Sequence, residues 1–187
     1  MSEANIYEEL AILFRYPGAD YRQHIEECRC AAESESSDAA ARLREFSAAL
    51  EGLSNEDLQE LYTRTFDLNP LCTLEIGWQL YGEEYRRGEF LVEMREQLAG
   101  YGVAETGELP DHLTHALALL ARLEADEAAA FASLYVLPAL DKMRTAWTKH
   151  RNAFAGLLEL TFDLLKSRYP YDPARTPARI PELHVLP

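Results

Sequence analysis

The stretch EEYRRGEFLVEMREQLAGYG, residues 83–102, decides the fold class. Arg87, Leu91, Met94, Leu98 and Tyr101 recur at 4-3-4-3 spacing, the stripe that an α-helix turns toward a core, and Gly100 and Gly102 end it. Nothing in the stretch alternates with period two. The same pattern extends upstream. Ile6, Leu10, Leu13 and Phe14 make an amphipathic first helix that stops at Pro17-Gly18, and Tyr21, Ile25 and Cys28 make a second. ESESSD, 33–38, breaks the pattern, and Asp38 is expected to cap the helix carrying Leu43, Phe46, Leu50 and Leu53. Ser54 followed by Asp57 resembles a capping box and opens a helix with Leu58, Leu61, Tyr62 and Thr65 on one face, ending near FDLNP.

LCTLEIGWQLYG, 71–82, reads as a short buried helix between that one and the long one. Downstream, Leu113, Leu117 and Leu120 mark another. Phe131, Leu134, Tyr135, Leu140 and Met143 mark the next, with Pro138 as a kink, and Phe154, Leu157, Leu158, Thr161, Phe162 and Leu165 mark the last. The expectation is an all-α, single-domain bundle of eight to nine helices over residues 1–169. Prolines at 170, 173, 177, 181 and 187 predict an extended tail over 170–187.

At 187 residues the chain can bury one full core. Eighteen Lys and Arg against 32 Asp and Glu leave a net charge of −14, which repels phosphate backbones and draws cationic segments, so nucleic acid is not expected as a partner. The start MSEANIYEEL has no basic region before its amphipathic pattern, which predicts a cytoplasmic protein without a secretory signal. The longest apolar run, AAAFASLYVLPAL, is 13 residues, below the roughly 18 that cross a bilayer, so no membrane insertion is expected. Cys28, Cys30 and Cys72 form neither a zinc knuckle nor an even disulfide set and read as reduced and structural.

Enzyme motifs are missing: no GxxxxGK[ST] loop, no GxSxG turn, no HExxH helix. GYGVAE lacks the third glycine of a dinucleotide fingerprint and follows a helix rather than a strand. His112-x-x-His115 beside Asp111 could donate to a metal, the basis of a rival reading as a small acidic metal-dependent hydrolase, but the ligand count is short. A helical adaptor with an unrelated client is a second rival.

GELPDHLTHALALL, 107–120, starts a helix oddly. With Pro110 at the first helical position, the cap is Leu109, a poor one, while Glu108 and Asp111 gain from the helix dipole. The functional alternative is a carboxylate and an imidazole held at a rigid corner, ready for a partner's cation or backbone N–H groups. From Val103 to Glu127 there are six acids against the single base Arg122, and Tyr62, Phe66, Trp78, Tyr81 and Tyr85 gather just upstream. An apolar groove with an acidic rim suits a basic amphipathic segment.

Residues 61–113 resemble the assembly chaperones of molybdenum oxidoreductases, the NarJ/TorD/DmsD superfamily and within it the NarJ-like branch. The resemblance rests on Tyr62, Phe66-Asp67, Leu71-Cys72-Thr73-Leu74, Gly82, Arg87-Gly88 and the run Glu108-Leu109-Pro110-Asp111-His112-Leu113 taken in order. Gln79 and Cys72 depart from the NarJ-like pattern, and YGEEYRRGEFLVEM is similar to chaperones serving type II members of the DMSO reductase family. The resemblance implies a non-catalytic protein without a permanent cofactor. Its partner would be the catalytic subunit of a molybdenum oxidoreductase, bound through an N-terminal region, often a twin-arginine signal, until the molybdenum cofactor is inserted; monomer and homodimer both remain open.

Tyr62, Phe66, Trp78 and Tyr81 are accordingly expected to wall the peptide site, with Glu108, Asp111 and His112 lining or bracing it and Asp111 as partner for a client arginine. Asp67, Gly82, Arg87, Gly88, Leu109 and Pro110 are expected to be structural, with Arg87 able to pair with a carboxylate such as Asp67 and Gly88 permitting close helix packing.

Overall fold

The computed structural model describes residues 5–147 and 152–174. Ten α-helical segments run in order: α1 (Ile6–Leu13), α2 (Tyr21–Glu35), α3 (Ser37–Ala49), α4 (Asn55–Tyr62), α5 (Ile76–Tyr81), α6 (Tyr85–Gly100), α7 (Leu113–Leu120), α8 (Ala125–Phe131), α9 (Leu137–Ala146) and α10 (Ala153–Arg168). A π-helical turn, Thr63–Asp67, extends α4, and another, Ala132–Val136, joins α8 to α9, so the described residues hold nine separate helices. The fold is all-α, and the extended pairing among the described residues is a single isolated antiparallel bridge between Glu75 and His112. No helix of the described residues is long and apolar enough to cross a membrane.

Local chemistry sets the helix ends. Ser54 and Asp57 form the expected capping box at α4. At α3 the cap is Ser36 rather than Asp38: Ser36 is the one extended residue between α2 and α3, and its hydroxyl accepts from the Asp38 and Ala39 N–H groups while Asp38 sits in the first turn. Pro138 lies in the first turn of α9, and the π-helical turn before it takes up the hydrogen-bond shift its missing N–H imposes.

One contiguous buried cluster draws on every helix. At its centre, Phe66 meets Tyr62 and Phe154 edge-on at centroid distances of 5.1 and 5.3 Å, with Phe14 at 6.3 Å. α6 turns Phe90, Met94 and Leu98 inward; Arg87, Leu91 and Tyr101 of the expected stripe stand at its half-buried edge, so the buried face is rotated toward Phe90. Of the proline-rich tail, residues 170–174 are non-helical, with the Tyr171 ring edge-on to Phe162 and its hydroxyl donating to Asp141; residues 175–187 lie outside the described residues.

Candidate functional site

The site forms where two stretches far apart in sequence meet. The Ile76 N–H donates to the Asp111 carbonyl at 2.9 Å and the Leu113 N–H donates to the Leu74 carbonyl at 2.8 Å, so 74–76 and 111–113 lie side by side. The His112 N–H closes a turn onto the Leu109 carbonyl at 3.0 Å, with Pro110 at the turn's second position, where its fixed φ fits. Pro110 is therefore not the first helical residue and Leu109 is not the cap. α7 begins at Leu113 with His112 as its cap, the imidazole Nδ1 accepting from the Thr114 N–H at 3.3 Å.

That role fixes the ring as neutral, with Nδ1 as acceptor. Burial, helped by the nearby His115, pulls the His112 pKa down to about 4. His115 donates from Nδ1 to the Leu109 carbonyl at 2.9 Å and accepts at Nε2 from the Thr106 N–H at 3.1 Å, which pins the loop from 106 to 109. With both nitrogens of His115 engaged and Asp111 directed elsewhere, the trio proposed for a metal-dependent hydrolase does not converge. Among the described residues no three His, Cys, Asp or Glu side chains are placed to hold a metal ion.

Asp111 has no solvent exposure. Its Oδ2 accepts from the Gly77 N–H at 3.1 Å and lies 3.7 Å from Arg87 Nε, while Oδ1 has no hydrogen-bond partner. Burial raises its pKa, and the Arg87 charge and the Gly77 N–H oppose that rise. Arg87 thus turns to Asp111, not to Asp67, because the bridge between 74–76 and 111–113 delivers Asp111 beside it, whereas Asp67 is exposed on the end of the π-helical turn.

An open groove of about 460 Å³ lies over this pair. Trp78, Leu68 and Pro70 give it apolar surface, and Asp67, Glu75, Thr73 and Arg87 line it with polar groups. The Trp78 indole N–H donates to the Pro70 carbonyl at 3.2 Å, and the Arg87 guanidinium lies 5.3 Å from its ring centroid. Leu68 and Leu71, 73% and 63% exposed, stand beside it. Gln79 pins the loop by donating to the Leu71 and Thr73 carbonyls at 3.3 and 3.0 Å. Glu75 is half-buried, takes the Thr73 hydroxyl and has its pKa raised by burial, with the charges of Asp111 and Glu108 adding to the rise. Burial raises the Tyr62 phenol, and the charges of Asp67, Glu108 and Glu75 raise it further.

The remaining expected residues are dispersed. Tyr62 and Phe66 lie in the core beneath the site, Tyr62 donating to the Phe14 carbonyl at 2.8 Å, and do not wall the groove. Tyr81 lines a separate cleft with Tyr85, Phe90 and Val92. Glu108 is exposed on the pinned loop, Leu109 is half-exposed, and Gly82 ends α5 with a φ of 57°. Gly88 is exposed, and a Cβ there would meet nothing within 4 Å, so it serves no close packing. Close approach occurs at Gly77, where a Cβ would fall 2.6 Å from Asp111 Oδ2 and 2.8 Å from Phe90 Cδ1. A glycine inside a short helix, next to tryptophan, was the available sign of it.

A family model described as the nitrate reductase delta subunit matches residues 32–159, from the end of α2 into α10, and so contains every residue of this site. The chain belongs to the nitrate reductase delta subunit family. No individually curated protein matches it. The nitrate reductase delta subunit family is one of chaperones, not enzymes.

Proposed function

We propose that the protein is an assembly chaperone that binds the N-terminal segment of a molybdenum oxidoreductase's catalytic subunit in this groove. It holds the subunit in the cytoplasm until the client receives its molybdenum cofactor. Membership of the nitrate reductase delta subunit family supports the chaperone role. The observation that carries the site is the juxtaposition, in one groove, of Trp78 and Leu68 with Asp67 and Glu75, with Glu108 just before the turn that leads into the paired 111–113 stretch. A segment with fixed positive charges followed by an apolar stretch needs both. Trp78 and Leu68 take the apolar part, the three carboxylates attract the cations, and Asp111 and His112 hold the two backbone stretches that shape the groove. The departures at Gln79 and Cys72 speak against a membrane-bound nitrate reductase as client, and the form YGEEYRRGEFLVEM favours clients of the type II DMSO reductase family.

The test is co-purification of the catalytic subunits encoded in the same genome. Trp78→Ala should lose the client while Tyr85→Ala, in the other cleft, keeps it. Equal retention by both would move the site away from this groove.

A further inference from the structure

Asp111 and Arg87 form an ion pair that is incomplete on both sides. The carboxylate is sealed from solvent, yet Oδ1 has no hydrogen-bond partner, while Oδ2 accepts from the Gly77 N–H and faces Arg87. Arg87 Nε is buried without a hydrogen-bond partner, and at 3.7 Å its contact with Oδ2 is beyond hydrogen-bond length. A guanidinium facing a carboxylate normally makes two parallel N–H···O bonds, and a buried polar atom left unpaired is costly. Arg87 also lines the groove, 22% of its side chain is exposed, and its head rests against Trp78. It is the cover between the groove and Asp111.

Resting on the groove as the peptide site, we propose that Asp111 is the receptor for one guanidinium of the bound segment and that Arg87 keeps that place in the free protein. Binding is then an exchange of an internal arginine for an external one. The incoming guanidinium reaches Oδ1 and completes the carboxylate's bonding. Arg87 swings into the groove, where Asp67 and Glu75 already lie to take its charge. Gly77, where a Cβ would fall 2.6 Å from Oδ2, keeps its N–H on that oxygen and leaves Oδ1 for the incoming guanidinium. Because the pocket holds a planar fork, lysine is a poor substitute.

Thermal unfolding of the full chain with methylguanidinium tests the receptor. Arg87→Ala should unfold at a lower temperature than the parent and recover saturably with methylguanidinium but not with methylammonium, and the double variant with Asp111→Asn should not recover. No recovery, or equal recovery in the double variant, overturns the proposal; if Arg87→Ala fails to fold, Arg87→Gln carries the same test. Titration with N-terminal peptides of the catalytic subunits then tests the exchange. Arg87→Ala should bind an arginine-containing peptide about tenfold more tightly than the parent, as expected when a competitor that fills the site nine-tenths of the time is removed. Weaker binding by Arg87→Ala overturns the exchange while leaving the groove reading intact. Failure of the parent to bind any peptide, with methylguanidinium recovery preserved, overturns the groove reading and leaves the receptor standing.

Discussion

The Gly77 N–H donates to Asp111 Oδ2 at 3.1 Å, across 34 positions of sequence, and the glycine's missing side chain makes the approach possible. A Cβ at 77 would stand 2.6 Å from that oxygen and 2.8 Å from a ring carbon of Phe90. The first partner is a buried carboxylate and the second a core ring, so neither yields cheaply. Gly77→Ala should destabilise the protein by about 1–3 kcal/mol, seen as a lower denaturation midpoint at unchanged slope.

Gly88 makes the opposite case. It lies in α6 with open space where a Cβ would go. Gly88→Ala should therefore stabilise the chain by about 0.5–1 kcal/mol through helix propensity alone, and thermal unfolding checks the sign.

The helices were legible because each carries its own period and end signals, as at the Ser54–Asp57 box and at Gly102. Helix ends are ambiguous where local signals compete. Asp38 is a good cap residue, but Ser36 stands two places earlier, and Pro110 fits a first helical position as well as it fits the turn it occupies. The site was less legible. Trp78 does line the groove, but which carboxylate meets Arg87 depends on the pairing of 74–76 with 111–113, a non-local contact with no periodic signature. For the same reason Glu75 and Gly77 carried no mark of their roles, and aromatic residues that looked like one wall, Tyr62, Phe66, Trp78 and Tyr81, are divided among core, groove and a second cleft.

His112 gives a pH signature. Its folded pKa of about 4 lies below the ordinary value of 6.5, so between these values the unfolded chain binds the proton and the folded chain does not. Stability should rise with pH across that window and be lost as pH falls from 6.5 toward 4, by at most about 1.4 kcal/mol per unit from this group. Asp111 and Glu75, with raised pKa values, act in the opposite sense, since they cost stability as pH rises through those values. His112→Asn, which keeps a capping acceptor without a titrating ring, should flatten the dependence in urea titrations between pH 4 and 6.5.

Glu75 separates stability from binding. Its carboxyl is held half-buried among like charges, so Glu75→Gln should leave the thermal midpoint at neutral pH unchanged or higher. The same change removes a partner for the client's cation and should weaken peptide binding about tenfold or more, consistent with loss of one charge-assisted hydrogen bond. A drop in stability with intact binding would make Glu75 structural.

The most direct measurement is isothermal titration of the full chain with the N-terminal peptide of each molybdenum oxidoreductase catalytic subunit in its genome, with the arginine pair intact and replaced by lysines. Saturable binding of one peptide, weakened by the lysine pair, is the expected result. Binding that ignores the replacement, or persists at full strength in Trp78→Ala, would contradict recognition of a guanidinium in the groove above Asp111.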